Sequence, residues 1–116
     1  MTLREATRDD IAAVVELERL LFGADAWSED QVREELTGER RQAWVVGDPA
    51  VGYAVTLAAG DVVDLQRIGV RPDQQRNGLA RQLLDTAVAA ATAARVDRML
   101  LEVSAANTAA MAFYAA

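Results

Sequence analysis

The stretch RIGVRPDQQRNGLARQLL, residues 67–84, decides the fold. Its first residues close an apolar run that begins at Val62 and reads as a strand ending at Val70. Pro72 and Asp73 mark a turn. A lone glycine, Gly78, follows among polar residues, and Leu79, Leu83, Leu84 and Val88 then recur at helical spacing over roughly residues 77–94. The next apolar run, RMLLEV at residues 98–103, reads as a short strand of the kind buried on both faces. Two strands joined through a helix are expected to lie parallel in one sheet.

Upstream, residues 2–6 alternate and give a short first strand. Thr7 and Asp10 form a capping box ahead of Ile11, Val14, Leu17, Leu20 and Leu21, which lie at helical spacing. This helix is expected to end near Phe22 and Gly23. Ser28 and Gln31 open a second short helix that runs to about Thr37, and the loop between the two helices carries Trp27. Residues 43–47, 51–58 and 62–70 then read as an antiparallel meander, with turns at Asp48-Pro49 and Gly60-Asp61. Asn107 can cap a last helix containing Met111 and Phe113. The order β, α, α, β, β, β, α, β, α makes residues 1–116 a single domain of the α/β (α+β) class with a mixed central sheet.

Composition narrows the chemistry. The 116 residues carry a formal net charge of −6, and all 12 basic residues are arginines. An acidic chain repels a phosphate backbone, so no nucleic-acid partner is expected. There is no cysteine and no histidine, which excludes thiolate nucleophiles, Cys-based zinc sites and the commonest general base and metal ligand. No metal is expected. No apolar run approaches the ~20 residues of a membrane span, and the first residues carry acidic groups rather than an apolar segment. The expectation is a cytoplasmic protein with no membrane partner.

The loop before the second long helix has its own chemistry. A helix start presents unpaired N–H groups and partial positive charge, so it favours an anion. Gly78 lets a bulky ligand approach the backbone, and Arg76 and Arg81 add fixed positive charge. Gly69, inside the strand, marks a bulge or a close backbone approach. A phosphate-bearing ligand with an extended arm beside the strand fits these features. A solvated loop with an ordinary turn glycine fits them too. The motif is neither a P-loop nor GxGxxG.

Gln75-Arg76-Asn77-Gly78-Leu79-Ala80 resembles the Q/R-x-x-G-x-G/A signature of the GNAT acetyltransferases, placed directly after a strand and opening a helix. The resemblance extends over essentially the whole chain. LFGADAWS (residues 21–28), RIGV (67–70) and LEVSAANTAAMAFY (101–114) are similar to the RimI-type branch, whose members acetylate the N-terminal alanine of a small-subunit ribosomal protein. It implies a GNAT fold with acetyl-CoA as cosubstrate. The pantetheine arm would lie against Ile68, Gly69 and Val70. The pyrophosphate would sit on Gln75, Arg76, Asn77, Gly78, Leu79, Ala80 and Arg81.

Acetyl transfer to an amine needs a base for the nucleophile and an acid for the departing thiolate. Glu102 is the one acidic residue in MLLEV, near a strand's carboxyl end, where ligands of open α/β sheets collect. Burial there would raise its pKa toward useful base strength. Position alone leaves a second reading open, a surface ion pair with Arg98. The resemblance implies Glu102 as proton acceptor through water, Tyr114 as proton donor to the thiolate, and Asn107 as a hydrogen-bond partner of the cofactor. Trp27 is read as contacting the acceptor, with a core or lid position as the alternative. Tyr53 is read as sheet packing.

Members of this branch continue past the tyrosine into two further strands. The chain is therefore expected to be a C-terminally incomplete domain, or one whose exposed C-terminal strand edge is covered by a second copy in a homodimer. Two other functions stay open beside the protein N-terminal acetyltransferase: an acetyltransferase of small amines or antibiotics, and a CoA-binding or dimerising module with little turnover.

Overall fold

The computed structural model describes residues 1–95 and 98–101. A five-stranded sheet runs in the order β1 (Leu3–Glu5), β2 (Arg41–Val46), β3 (Gly52–Ala59), β4 (Val62–Val70), β5 (Arg98–Leu101). The first four strands are antiparallel neighbours, and β5 lies parallel to β4. The meander and the parallel crossover expected from sequence are both present. Three α-helices accompany the sheet: α1 (Ile11–Phe22), α2 (Glu29–Thr37) and α3 (Leu79–Ala93).

Local chemistry sets the helix boundaries. The Thr7 side chain accepts from the Asp9 amide while the Asp10 carboxylate accepts from the Thr7 amide, closing the capping box ahead of α1. Arg4 adds a two-pronged ion pair to the same carboxylate at 2.8 Å on each prong. Gly23, with φ of 53°, ends α1. The Ser28 hydroxyl accepts from the Gln31 amide and starts α2.

Strand alternation divides the core into two layers. In β2, Ala43 and Val45 face α1 and α2, while Trp44 and Val46 face α3; all four are buried. A run buried on both faces reads as continuously apolar, which is why RQAWVV shows little alternation. In α3, Leu79, Leu83, Ala87 and Ala91 pack against the sheet. Their spacing of four follows the inner stripe of a helix, with alanines allowing close approach. Val88, expected on that stripe, is instead 45% exposed because Ala87 takes the inward position.

β4 carries one irregularity. Val55 pairs with Arg67, but the next residue, Thr56, pairs with Leu65, so Gln66 is the extra residue of a β-bulge. The bulge switches the alternation. Leu65 before it and Ile68 and Val70 after it all reach the α3-side core. Gly69, by contrast, faces Leu21 of α1 and Tyr53. The β4–β5 ladder described ends with Leu65 opposite Leu101, at the bulge.

β5 is not buried on both faces as its sequence suggested. Leu100 pairs with Asp64 on the face where α1 packs over β3 and β4 and α2 over β2, and it remains 44% exposed. No described helix is long and apolar enough to cross a membrane. The helix expected at Asn107 lies outside the described residues.

Candidate active site

The segment after β4 folds as its residue types require. The Arg71 amide donates to Val51 O at 2.8 Å, and Pro72–Gln74 makes one 3-10 turn. The Gln75 side-chain amide reaches back and donates to Val70 O at 3.0 Å, tying the loop to the end of the strand. Arg76 (φ 70°) and Gly78 (φ 77°) both adopt left-handed backbone, and α3 begins at Leu79. Glycine at 78 meets that conformational demand without a Cβ penalty.

The first hydrogen bond of the helix ladder runs from the Gln82 amide to Gly78 O, at 3.0 Å. The amides of Leu79, Ala80 and Arg81 precede it, and no side chain caps them. No acidic residue stands in the first turn. A Cβ built on Gly78 would meet nothing within 4 Å, so the approach to these amides is open. Aligned peptide dipoles make such a helix start a place for an anion.

The expected binding residues divide by what they can offer. Leu79 is 8% exposed and roots the helix start in the core, leaving its backbone as the available part. The side chains of Ile68 and Val70 are buried, and Val70 O accepts from the Gln75 side chain. Ala80 packs partly against the same core. Arg81 pairs with Asp85 at 3.2 Å on the surface, and the Asn77 side chain donates to Gln74 at 3.4 Å. Arg76 is exposed and belongs to no ion pair among the described residues. The close neighbours of the Gly69 Cβ position are Leu21 and Tyr53, and the bulge sits at Gln66.

On the α1 side of β4, next to the bulge, lies a buried polar cluster that the sequence reading did not single out. Glu18 is fully buried. Its Oε1 accepts from Arg67 Nη2 at 2.7 Å and from the Trp27 amide at 2.8 Å; its Oε2 accepts from Arg67 Nε at 3.0 Å and from the Tyr53 hydroxyl. Arg67 Nη2 also donates to Asp25 O at 3.0 Å. The guanidinium carbon lies 3.9 Å from the Phe22 ring centroid and 4.6 Å from that of Trp27.

This carboxylate is thus held by four donors, as a buried charge requires. Burial, then the adjacent Glu18 charge and hydrogen bond, raise the Tyr53 pKa well above the usual phenol value. For Arg67, burial is the largest single effect and opposes its charge, but the Glu18 hydrogen bonds and charge outweigh it and leave the pKa raised. The signal was present in sequence. Position 18 lies four residues after Val14 and seven after Ile11, on the buried stripe of α1. Tyr53 does pack in the sheet, as expected, and its hydroxyl completes this cluster.

Trp27 is half-buried, its ring over Arg67 and its amide on Glu18. Glu102, Asn107 and Tyr114 lie outside the described residues. Among those described, no cluster of three or more carboxylates could hold a metal ion. A shallow cavity of about 180 Å³ near Arg41, Thr56 and Ala91 sits toward the other end of α3 and is separate from the helix start.

Solved structures with this architecture are numerous. The ribosomal-protein-S18-alanine N-acetyltransferase of Escherichia coli is 31% identical, with a TM-score of 0.83 over 98% of this chain and 74% of that one. The PaiA N-acetyltransferase of Thermoplasma acidophilum, solved with coenzyme A, is 17% identical at a TM-score of 0.77, over 98% and 86% of the two chains. An aminoglycoside acetyltransferase from an uncultured soil metagenomic sample, solved with sisomicin, is 12% identical at 0.79, over 98% and 84%. The last two share the fold. No curated protein sequence matches the chain. The acetyltransferase (GNAT) family pattern covers residues 11–116. With that pattern over most of its length and the Escherichia coli enzyme as a neighbour, the chain belongs to the GNAT family and is an acetyl-CoA-dependent N-acetyltransferase.

Proposed function

We propose that this chain is an N-α-acetyltransferase that moves the acetyl group of acetyl-CoA to a protein N-terminal amine, that of the N-terminal alanine of a small-subunit ribosomal protein. The observation that carries the cofactor half is the uncapped start of α3: three amides behind a left-handed Gly78, with an exposed Arg76 beside them. These groups suit a pyrophosphate. The resemblance supports Ile68, Gly69 and Val70 as the strand end along which a pantetheine arm lies, the side chains of Ile68 and Val70 being committed to the core. From Val70 back to Gln66 is four residue steps, about 13 Å of strand. An arm of that reach brings the thioester to the bulge.

In the transfer, the amine nitrogen attacks the thioester carbonyl, the new C–N bond forms and the C–S bond breaks. Glu102 takes the proton of the amine through a water, and Tyr114 returns a proton to the CoA sulfur. Asn107 donates to or accepts from the cofactor, and Trp27 contacts the acceptor. An α-amine, with a pKa of ~7.7–8.0 against ~10.4 for lysine, suits a carboxylate of modest strength. Similarity to the Escherichia coli enzyme supports the ribosomal substrate.

Mass spectrometry of a peptide beginning with alanine, incubated with acetyl-CoA and the chain, tests the reading. One acetyl on the α-amine is expected, and Glu102→Gln should cut turnover while leaving CoA affinity intact. Acetylation of an aminoglycoside or polyamine in place of the peptide would assign a small-amine acceptor. CoA binding without any product would make the chain a cofactor-binding module.

A further inference from the structure

Arg67 of β4 reaches α1 and the loop that follows it, 49 and 42 residues away in sequence. It is the residue directly after the bulge of β4 and directly before Ile68. Its Nε and Nη2 form a fork on the carboxylate of Glu18 in α1. Its Nη2 also holds the carbonyl of Asp25, and its guanidinium carbon lies over the rings of Phe22 and Trp27. Glu18 in turn accepts from the Trp27 amide. The loop between α1 and α2 is thus fastened to β4 at its carbonyl, its amide and its aromatic ring, all through one buried ion pair.

We propose that Arg67, held in place by Glu18, is a positioning residue that fixes the Trp27 loop over the bulge of β4 and so sets the shape of the acceptor side of the site. This rests on the N-acetyltransferase reading, in which the reacting thioester arrives at the bulge. A loop tied to the residue adjacent to that point fixes where an acceptor amine can enter. The cofactor side is built from other groups, the α3 amides and the backbone of the strand end. The two half-sites therefore respond separately to a change at position 67.

Arginine suits the task where lysine does not. Its planar fork bonds both carboxylate oxygens while one nitrogen still reaches Asp25, and its flat face stacks on the rings. Arg67→Lys keeps the charge that neutralises buried Glu18 but loses the fork and the stacking. Steady-state kinetics with the alanine-terminated peptide and calorimetry of CoA binding read the two half-sites. The peptide KM should rise at least tenfold in Arg67→Lys, with CoA affinity within twofold of the parent. Trp27 supplies a readout independent of turnover. In a Trp44→Phe background it is the sole tryptophan, and its emission should shift to the red in Arg67→Lys as the ring leaves the guanidinium.

Should Arg67→Lys fold poorly, Glu18→Gln keeps the volume and is read by the same three measurements. Unchanged peptide KM and unchanged Trp27 emission would overturn the proposal. So would equal losses in peptide and CoA binding, which would make the cluster a general support of the fold. If the parent acetylates a small amine and not the peptide, the peptide reading fails alone. The positioning role then predicts the same tenfold rise in that amine's KM.

Discussion

A Cβ built on Gly69 would stand 2.7 Å from Cδ1 of Leu21 and 3.2 Å from Cε1 of Tyr53. The strand that ends at the loop before α3 is therefore in direct contact with α1 through a residue that has no side chain. Leu21 is half-buried at the end of its helix and can rotate aside. Tyr53 cannot, because its ring is fully buried and its hydroxyl is bonded to Glu18.

Gly69→Ala is accordingly expected to lower stability by about 1–2 kcal/mol, the low end of overpacking costs. Leu21→Ala in the same chain should recover part of that loss, giving a double variant less destabilised than the sum of the singles. Urea denaturation of the four chains measures the coupling. Strict additivity would mean that Leu21 is not the group that Gly69 accommodates.

Asp10 predicts a specific acid sensitivity. The Arg4 side chain, foremost, and the Thr7 amide hold its carboxyl below the usual range, against the opposing effect of burial. A depressed carboxylate pKa contributes stability that is present above the unfolded value, near ~3.9, and is lost as pH falls through the folded value. Asp10→Asn should lower stability by about 1–3 kcal/mol at neutral pH. It should also flatten the slope of stability against pH below about pH 4. Thermal melts between pH 2 and 7 check both; parallel curves for the two chains would show that Asp10 titrates alike folded and unfolded.

How much of this was legible in sequence depends on how specific each residue's reason is. Gly78 was singled out for letting a ligand near the backbone, with an ordinary turn glycine as the alternative, and the structure adds a left-handed backbone there. The meander was legible from apolar runs of strand length broken by turn residues. A bulge was one of two readings of Gly69 and lies instead at Gln66, although apolar residues at 63 and 65 and then at 68 and 70 change parity within one strand. Val88 was misplaced because an alanine-rich helix leaves its inward stripe ambiguous: Ala87 and Val88 differ by a single position, and packing chose the smaller residue. Glu18 and Arg67 were passed over because a charge on a buried stripe declares itself only when its partner is known, and this partner lies 49 residues away. Glu102, Asn107 and Tyr114 were named from resemblance and lie outside the described residues.

Tyr53 predicts sensitivity at the other end of the pH scale. Burial and then the Glu18 charge raise its pKa well above the ordinary value near 10. A raised pKa favours the neutral phenol in the folded chain, so the stability it carries is complete below about pH 10 and declines as pH rises past it. Tyr53→Phe should abolish that decline at a cost of about 1 kcal/mol at neutral pH, since Glu18 keeps both bonds to Arg67. Ultraviolet titration of tyrosinate should show Tyr53 ionising only with unfolding. Ionisation near pH 10 in the folded chain would contradict its enclosed position.

The start of α3 allows a test in which backbone strain and ligand contact separate. Gly78 and Gly60 have similar left-handed φ values, 77° and 61°, and a Cβ on either would meet nothing within 4 Å. Gly60 lies in the turn before β4, at the opposite end of that strand from the loop before α3. Replacing either by alanine should therefore cost a similar ~1 kcal/mol of stability, from backbone conformation alone. Their effects on the cofactor should differ. A methyl at position 78 would narrow the open approach to the amides of Leu79, Ala80 and Arg81, where a pyrophosphate would rest, and Gly78→Ala is expected to raise the CoA Kd about tenfold, equivalent to ~1.4 kcal/mol. Gly60→Ala should leave it within twofold. Calorimetric titration of CoA into both variants, alongside their denaturation curves, decides the matter. Equal stability losses with a CoA affinity changed only by Gly78→Ala would tie the anion to the helix start, whereas two variants that bind CoA like the parent would move the phosphate site elsewhere on the molecule.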